Sequence, residues 1–309
     1  MKILADLHHE DLYGSLLLLA ERLGAELRRP CGMDWYRSGT WLQHSDDASA
    51  LQYLGPDTYK GFRGVLLGTA LKTDWDIVIV SHPNNIEPWV RTFEQKAPIV
   101  LQVGNAWHYM APQFKGITHV LNSTSTHWPN RNHVRYHPEF KLPKISSQRP
   151  KTIASFSHCP QQPALDRINR LGEALGPEWD VLIHGANAPD GPITQAETEA
   201  LMRQIDYVVH DKPGGDGYGF NVHRALASNC VVVCDYEHYS DQSFARCMVD
   251  RVSTIDLGLG VETAAEQIKD HQGAARLSIE PVDIWRANCD PDYEWEHKLK
   301  PFFEKVLNP

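Results

Sequence analysis

His210-Asp211-Lys212-Pro213-Gly214-Gly215-Asp216-Gly217-Tyr218-Gly219-Phe220-Asn221 is the stretch on which the reading of this chain turns. The apolar run Tyr207 to His210 leads into it and reads as a strand. Val222 to Ala227 follows and reads as a helix. Four of the six residues from Gly214 to Gly219 are glycine, so backbone N–H groups can approach a ligand with no Cβ in the way. The helix start behind them adds roughly half a positive charge. Lys212 adds a full one. Strand, glycine turn and helix start in that order make a cradle for a phosphate or diphosphate; the plainer alternative is a surface loop. Neither common nucleotide fingerprint is met. G-x-G-x-x-G from Gly215 would need glycine where Phe220 stands, and G-x-x-x-x-G-K-[ST] is absent.

Outward from this turn, short apolar runs alternate with amphipathic stretches, the pattern of strand–helix–strand units around a parallel sheet. In the second half, Thr152–Phe156, Trp179–His184 and Val231–Asp235 read as further strands, and Ala164–Ala174 and Thr194–Gln204 as helices. A last helix over Tyr293–Val306 carries Trp295, Leu299, Phe302, Phe303 and Val306 on related faces. In the first half, Lys2–Leu7, Ala25–Arg29, Trp75–Val80, Pro98–Val103 and Thr118–Asn122 read as strands. Leu16–Leu23 reads as a helix closed by Gly24. Residues 30–60 have no clear period and read as an insertion. The segment 141–150 has two prolines, two serines and no apolar period, so it reads as a linker. The expected fold is α/β: two Rossmann-like doubly wound domains facing across a cleft, residues 1–145 and 146–309, the second carrying the terminal helix. Ligands of such sheets sit at the carboxyl ends of the strands.

Composition agrees. At 309 residues the prior is roughly two domains of about 150 residues. Apolar residues at 42% and charged residues at 22% argue against wholesale disorder. Thirty Lys+Arg against thirty-nine Asp+Glu leave a net charge of −9, which argues against a general polyanion binder. No apolar run approaches the roughly 18 residues of a membrane span. Asp6 stands where a signal peptide would need its apolar core, so a soluble, cytoplasmic protein is expected. The six cysteines form no C-x-x-C pair; Cys230 and Cys234 read as buried strand thiols. The sixteen histidines make no H-E-x-x-H. Asp46-Asp47 and Asp290-Pro291-Asp292 lie at no strand end, so no metal site is assigned.

The run Asp216-Gly217-Tyr218-Gly219, four residues, Arg224-Ala225-Leu226-Ala227, Ser228, Asn229-Cys230-Val231 and Val232-Val233 resembles the donor motif of GT-B glycosyltransferases. In the large retaining families that motif runs E-G-F-G, four residues, E-A-x-A, a small residue, Gly-x-Pro and a V-V strand. The resemblance implies a carboxyl-terminal domain that binds a nucleotide-diphosphate sugar, most simply a UDP-sugar. It implies no bound cofactor and metal-independent transfer. The terminal helix often crosses back to the first domain in this family. Asp216 stands where the family's first acidic residue meets the donor sugar, and Gly217 and Gly219 where backbone meets sugar and diphosphate. Gly215, Tyr218, Phe220 and Asn221 complete the turn. Two departures stand out: the family's second acidic residue, which holds the ribose, is Arg224 here, and Gly-x-Pro is Asn229-Cys230-Val231. Arg224 cannot accept hydroxyl hydrogen bonds, so it is expected on a phosphate. Ser155 and Ser157 stand in the loop that faces the donor phosphates, His184-Gly185 would face the nucleobase, and His210 ends the strand before the turn.

The same architecture gives the acceptor to the first domain's strand ends: His8, His9, His82, Asn105 and Trp107 are the candidates. Lys212 and Asp216 are the catalytic candidates on the donor side. His9 or Glu10 is the candidate base if the reaction inverts, since histidine titrates near working pH. If the reaction retains configuration, no base is required. The amino-terminal stretch from Lys2 to Glu10 resembles small glycosyltransferases encoded by phages and prophages, which would work in the host cytoplasm. Some of these modify hydroxymethylated pyrimidines in DNA, others cell-surface glycans. A basic region, Arg131, Arg135, Lys141, Lys144, Arg149 and Lys151, with Trp107, Trp128 and Tyr136 for stacking, is the feature that would meet DNA. The rivals are a non-catalytic nucleotide or glycan binder of the same fold, which the change to Arg224 motivates, and a nucleotide-sugar epimerase or phosphorylase.

Overall fold

Ile77–Val80 and Val231–Cys234 are apolar and buried at every position. That is the composition of parallel strands with both faces covered. A computed structural model describes residues 1–6, 10–30, 63–65, 67–104, 116–124, 131–138, 151–157, 160–212, 218–240, 242–273 and 279–308. The chain divides into two units, Met1–Phe140 with Pro291–Pro309 and Lys141–Asp290.

The first unit holds strands β1 (Lys2–Ala5), β2 (Glu26–Pro30), β3 (Arg63–Val65), β4 (Ile77–Val80), β5 (Ile99–Val103), β6 (His119–Asn122) and β7 (Asn132–Arg135). They form one parallel sheet in the order β3-β2-β1-β4-β5-β6-β7. The order reverses between β1 and β4, which makes their carboxyl ends a topological switch point. Helices α1 (Glu10–Arg22), α2 (Leu67–Lys72) and α3 (Pro83–Phe93) connect them. Helix α1 begins at Glu10, well before the Leu16 start expected from the sequence. Pro83 suits a first helical position, where its missing N–H is no loss. Pro88 lies inside the same helix, yet Trp89 and Phe93 anchor it with fully buried rings 5.8 Å apart.

The second unit holds β8 (Thr152–Phe156), β9 (Asp180–His184), β10 (Tyr207–Val209), β11 (Val231–Cys234) and β12 (Thr254–Asp256), parallel in the order β12-β11-β10-β8-β9. Its helices are α4 (Gln162–Leu175), α5 (Gln195–Met202), α6 (Phe220–Ala227), α7 (Tyr236–Tyr239), α8 (Val261–Gly273) and α9 (Pro281–Cys289). The switch point lies between β8 and β10. From β8 to β9 the chain steps one way along the sheet and from β9 through β10 to β11 the other. Right-handed crossovers therefore put α4 on one face and α5 with α6 on the other. Packing of α4 against α8, and of α5 against α6, agrees. Cys230 and Cys234 are fully buried as expected, Cys234 ending β11 and Cys230 just preceding it.

The segment that follows, α10 (Pro291–Glu294), a wider turn over Trp295–Leu299 and α11 (Lys300–Leu307), belongs to the first unit, whereas sequence order had grouped it with the second. Leu299, Phe302, Phe303 and Val306 share one core with Ile3, Ala5, Leu16 and Leu19. Among the described residues no helix is long and apolar enough to cross a membrane. Phe303 is 1% exposed, so Phe303→Ala should cost about 3–5 kcal/mol in urea unfolding, read as a lower midpoint at unchanged slope.

Candidate functional site

In the second unit the residues flanking the glycine turn meet at the carboxyl ends of β8 and β10. Ser155 and Phe156 end β8 in buried positions, and the Ser157 N–H donates to the His184 carbonyl at 3.0 Å. Gly185 is required there: a Cβ would lie 2.1 Å from the Ser157 carbonyl oxygen. The His184 ring stacks on Phe156 at 5.9 Å and 8°. The loop beyond it folds back, with the Asp190 carboxylate accepting from the Ile183 N–H at 2.6 Å. At the end of β10, the His210 N–H donates to the Val233 carbonyl at 2.9 Å and its ring lies 5.6 Å from Tyr239. Lys212 is exposed. Gly215, Asp216 and Gly217 lie outside the described residues.

Beyond the turn, Tyr218 is buried with its ring stacked on His223 at 4.2 Å and 5°, and its carbonyl accepts from the Ser243 hydroxyl at 3.0 Å. Gly219 caps α6 in the left-handed region, φ 76° and ψ 54°, which disfavours any side chain. Phe220 opens the helix, and the Asn221 side-chain amide donates to the Phe156 carbonyl at 2.9 Å, tying the start of α6 to the end of β8. Ser155, Ser157, His184, Gly185, His210, Lys212, Tyr218, Gly219, Phe220 and Asn221 thus gather at one sheet edge.

Arg224 is placed otherwise than expected. It lies one turn inside α6, its side chain 7% exposed, with the guanidinium 5.5 Å over the Phe220 ring and Nε 3.6 Å from Glu199 Oε1 of α5. A buried cation needs a carboxylate, and Glu199 supplies it. Glu199 was missed; the signal was the arginine itself, an unbalanced charge in a helix otherwise apolar from Ala225 to Ala227. The hydrogen bond to Glu199 Oε1 comes from the Gln195 side-chain amide, at 2.8 Å, and the Glu199 side chain keeps 33% exposure. Helical side chains lean toward the N-terminus, so this carboxylate is carried toward the carboxyl edge of the sheet. Its neighbour Glu197 is committed elsewhere: the Thr194 backbone and hydroxyl, in a capping box, hold its carboxyl below the usual value.

At the switch point of the first unit, Asp6 is buried and accepts from Ser81 N–H (2.7 Å), Ser81 hydroxyl (2.7 Å), His82 N–H (2.9 Å) and Asn85 amide (3.0 Å). Burial raises its carboxyl above the ordinary value while these four bonds oppose the shift. They fix the start of α3 and present His82, partly buried, whose imidazole burial pushes down and the Asp6 charge pulls up. Glu10 opens α1, and its side chain, with His8, His9, Asn105, Trp107, Trp128, Lys141, Lys144 and Arg149, lies outside the described residues. Tyr136 is no stacking platform: it is 4% exposed in the first unit's core, its hydroxyl accepting from Gln102 at 3.1 Å. Arg131 Nε donates to the Ile117 carbonyl at 2.9 Å, and Lys151 faces Glu178 at 3.8 Å.

No protein-family model matches the sequence, and no curated protein does. Solved structures do. Anabaena Alr3699/HepE in complex with UDP-glucose is 13% identical over 100% of this chain and 98% of its own, with a TM-score of 0.64. Trehalose-6-phosphate synthase OtsA is 8% identical over 99% of this chain and 98% of its own, at 0.60. A mutant of S. aureus TarM in complex with Fondaparinux, alpha-GlcNAc-glycerol and UDP is 13% identical over 75% of this chain and 54% of its own, at 0.52. The chain thus spans about half the length of TarM. At such identities the likeness is one of fold, and that fold is GT-B, two units each built on a parallel sheet.

The close approach at Gly185 makes a sharp contrast with Gly14 in α1, whose added Cβ meets nothing within 4 Å. Gly185→Ala should destabilise the protein by about 1–3 kcal/mol. Gly14→Ala should stabilise it by about 0.5–1 kcal/mol, both read in chemical denaturation.

Proposed function

We propose that this chain is a glycosyltransferase that moves a sugar from a nucleotide-diphosphate sugar, a UDP-sugar by preference, to a hydroxyl acceptor. The observation that carries the reading is the start of α6. A left-handed Gly219 and the Asn221–Phe156 bond aim that helix's N-terminus at the switch point between β8 and β10. A diphosphate is the ligand such an edge suits. The UDP-glucose complex of HepE, a protein of the same fold, supports the choice of donor.

In the transfer the bond between the anomeric carbon and the diphosphate oxygen breaks as the acceptor oxygen bonds to that carbon. The acceptor's proton passes to the leaving diphosphate if configuration is retained, or to a base if it inverts. Negative charge builds on the leaving diphosphate. The helix start, the turn amides and Lys212 oppose that charge. Such preorganised electrostatics are usually the largest catalytic contribution, and this source of positive charge is why we read the reaction as metal-independent. Asp216 meets the donor sugar, and the stacked Phe156–His184 pair meets the nucleobase. Glu199 takes the ribose hydroxyls, because a carboxylate only accepts hydrogen bonds and would repel the phosphates. Retention follows the motif; if the reaction inverts, His9 or Glu10 is the base. His82 contributes to the acceptor side with His8, Asn105 and Trp107. We favour a glycan or a small hydroxyl compound over a hydroxymethylated base in DNA, since Tyr136 is packed in the core and Arg131 is committed to a carbonyl.

UDP at about 100 times its dissociation constant should stabilise the protein by about 2.7 kcal/mol, visible as a thermal shift. Lys212→Ala should lose most of that shift. No shift with any nucleotide or nucleotide sugar would remove the donor reading. UDP should bind about tenfold more tightly than its 2′-deoxy counterpart, a gap that narrows in Glu199→Gln. Equal binding of the two by the parent protein would remove the role given to Glu199.

A further inference from the structure

Arg167 belongs to α4, on the face of the sheet opposite α6, yet its guanidinium reaches the carboxyl edge. Its Nε lies 3.0 Å from Asp211 Oδ2 and its Nη1 3.9 Å from Asp235 Oδ2. Asp211 follows β10 and Asp235 follows β11. The Asp211 side chain is 4% exposed. His210 and His238 face the same carboxylate. Asp235 also caps α7 through the His238 N–H at 3.2 Å, and Asp256 at the end of β12 accepts from the Tyr236 and Gly258 N–H groups.

Asp211 stands directly before Lys212 and the glycine turn. Two carboxylates beside an anion cradle work against it: they repel a diphosphate and draw the lysine toward themselves. With Arg167 the local sum over Asp211, Asp235, Arg167 and Lys212 is zero; without it the sum is −1. We propose that Arg167 is a positioning residue for the diphosphate, neutralising Asp211 and Asp235 so that Lys212 is directed to the phosphates rather than to its neighbours. The inference rests on the donor reading above, and Arg167 itself touches no ligand in it. A residue that merely braced α4 would leave no mark on the phosphate part of a ligand as distinct from the nucleoside part.

The test compares UDP with uridine, which lacks the phosphates, on the full chain by calorimetry and ligand-observed NMR. Buffer at pH 8 is used because burial pushes the Asp211 carboxyl up from its ordinary value and Arg167 opposes that shift. Arg167→Met should weaken UDP about tenfold, more at low salt, and leave uridine within about twofold. Arg167→Lys, which keeps the charge, should lose less. Adding Asp211→Asn to Arg167→Met should recover most of the lost UDP affinity. A parallel loss of UDP and uridine, or no recovery with Asp211→Asn, would overturn the proposal. An unaffected Arg167→Met in a protein that binds UDP would overturn it while leaving the donor reading standing. A parent protein that binds no nucleotide would remove both.

Discussion

Helix α6 can start where it does only because Gly219 takes a left-handed backbone. That single conformation turns the chain out of the glycine stretch and points the helix N-terminus at the gap between β8 and β10. The neighbours are arranged to hold it. Tyr218 is clamped flat against His223, and Asn221 bonds back to the last residue of β8. On the far side of the gap, Gly185 lets the end of β9 come against Ser157. Take the left-handed glycine away and the start of α6 loses the turn that brings it to the end of β8.

The two units solve the same problem by different chemistry. Each sheet reverses its strand order once, and at each reversal a carboxylate is buried. Asp6 is satisfied by two N–H groups, a hydroxyl and an amide, all neutral, and so fixes backbone at the start of α3. Asp211 instead faces a charged partner, the Arg167 guanidinium, whose Nε lies 3.0 Å from its Oδ2. A neutral shell brings no counter-charge to Asp6, whereas the second sheet sets a guanidinium against Asp211 and Asp235. The second sheet is the one whose edge we propose for the donor diphosphate.

Long apolar strands were legible in the sequence because both faces are buried, so Trp75–Val80, Pro98–Val103 and Val231–Asp235 coincide closely with β4, β5 and β11. The strands that escaped are short or polar: Arg63–Val65, Asn132–Arg135 and Thr254–Asp256. Helix α3 was hidden by Pro83 and Pro88, although its buried Trp89 and Phe93 sit at helical spacing. At the site, the flanks of the turn come together at one sheet edge because strand and helix follow closely in sequence, while the glycines between them lie outside the described residues. Arg224 was misjudged because its partner, Glu199, lies on another helix, and long-range pairing leaves no local trace. Tyr136 failed for the same reason: an aromatic beside basic residues looks exposed until the terminal helix packs over that core.

The return of the chain to the first unit after Asp290 has a consequence for the order of assembly. Leu299, Phe302, Phe303 and Val306 fill the core around Ile3, Leu16 and Leu19, so that core is unfinished until the segment after Asp290 has been made. The second unit, spliced between the two pieces, has every strand of its sheet within Lys141–Asp290 and can close first on the ribosome. During synthesis the amino-terminal sheet must therefore wait with apolar surface uncovered while the later unit folds. In vivo, the strands around Ile3 would be secured only after those of the second unit, and their vulnerability to aggregation or proteolysis would be set by how fast Lys300–Leu307 follows.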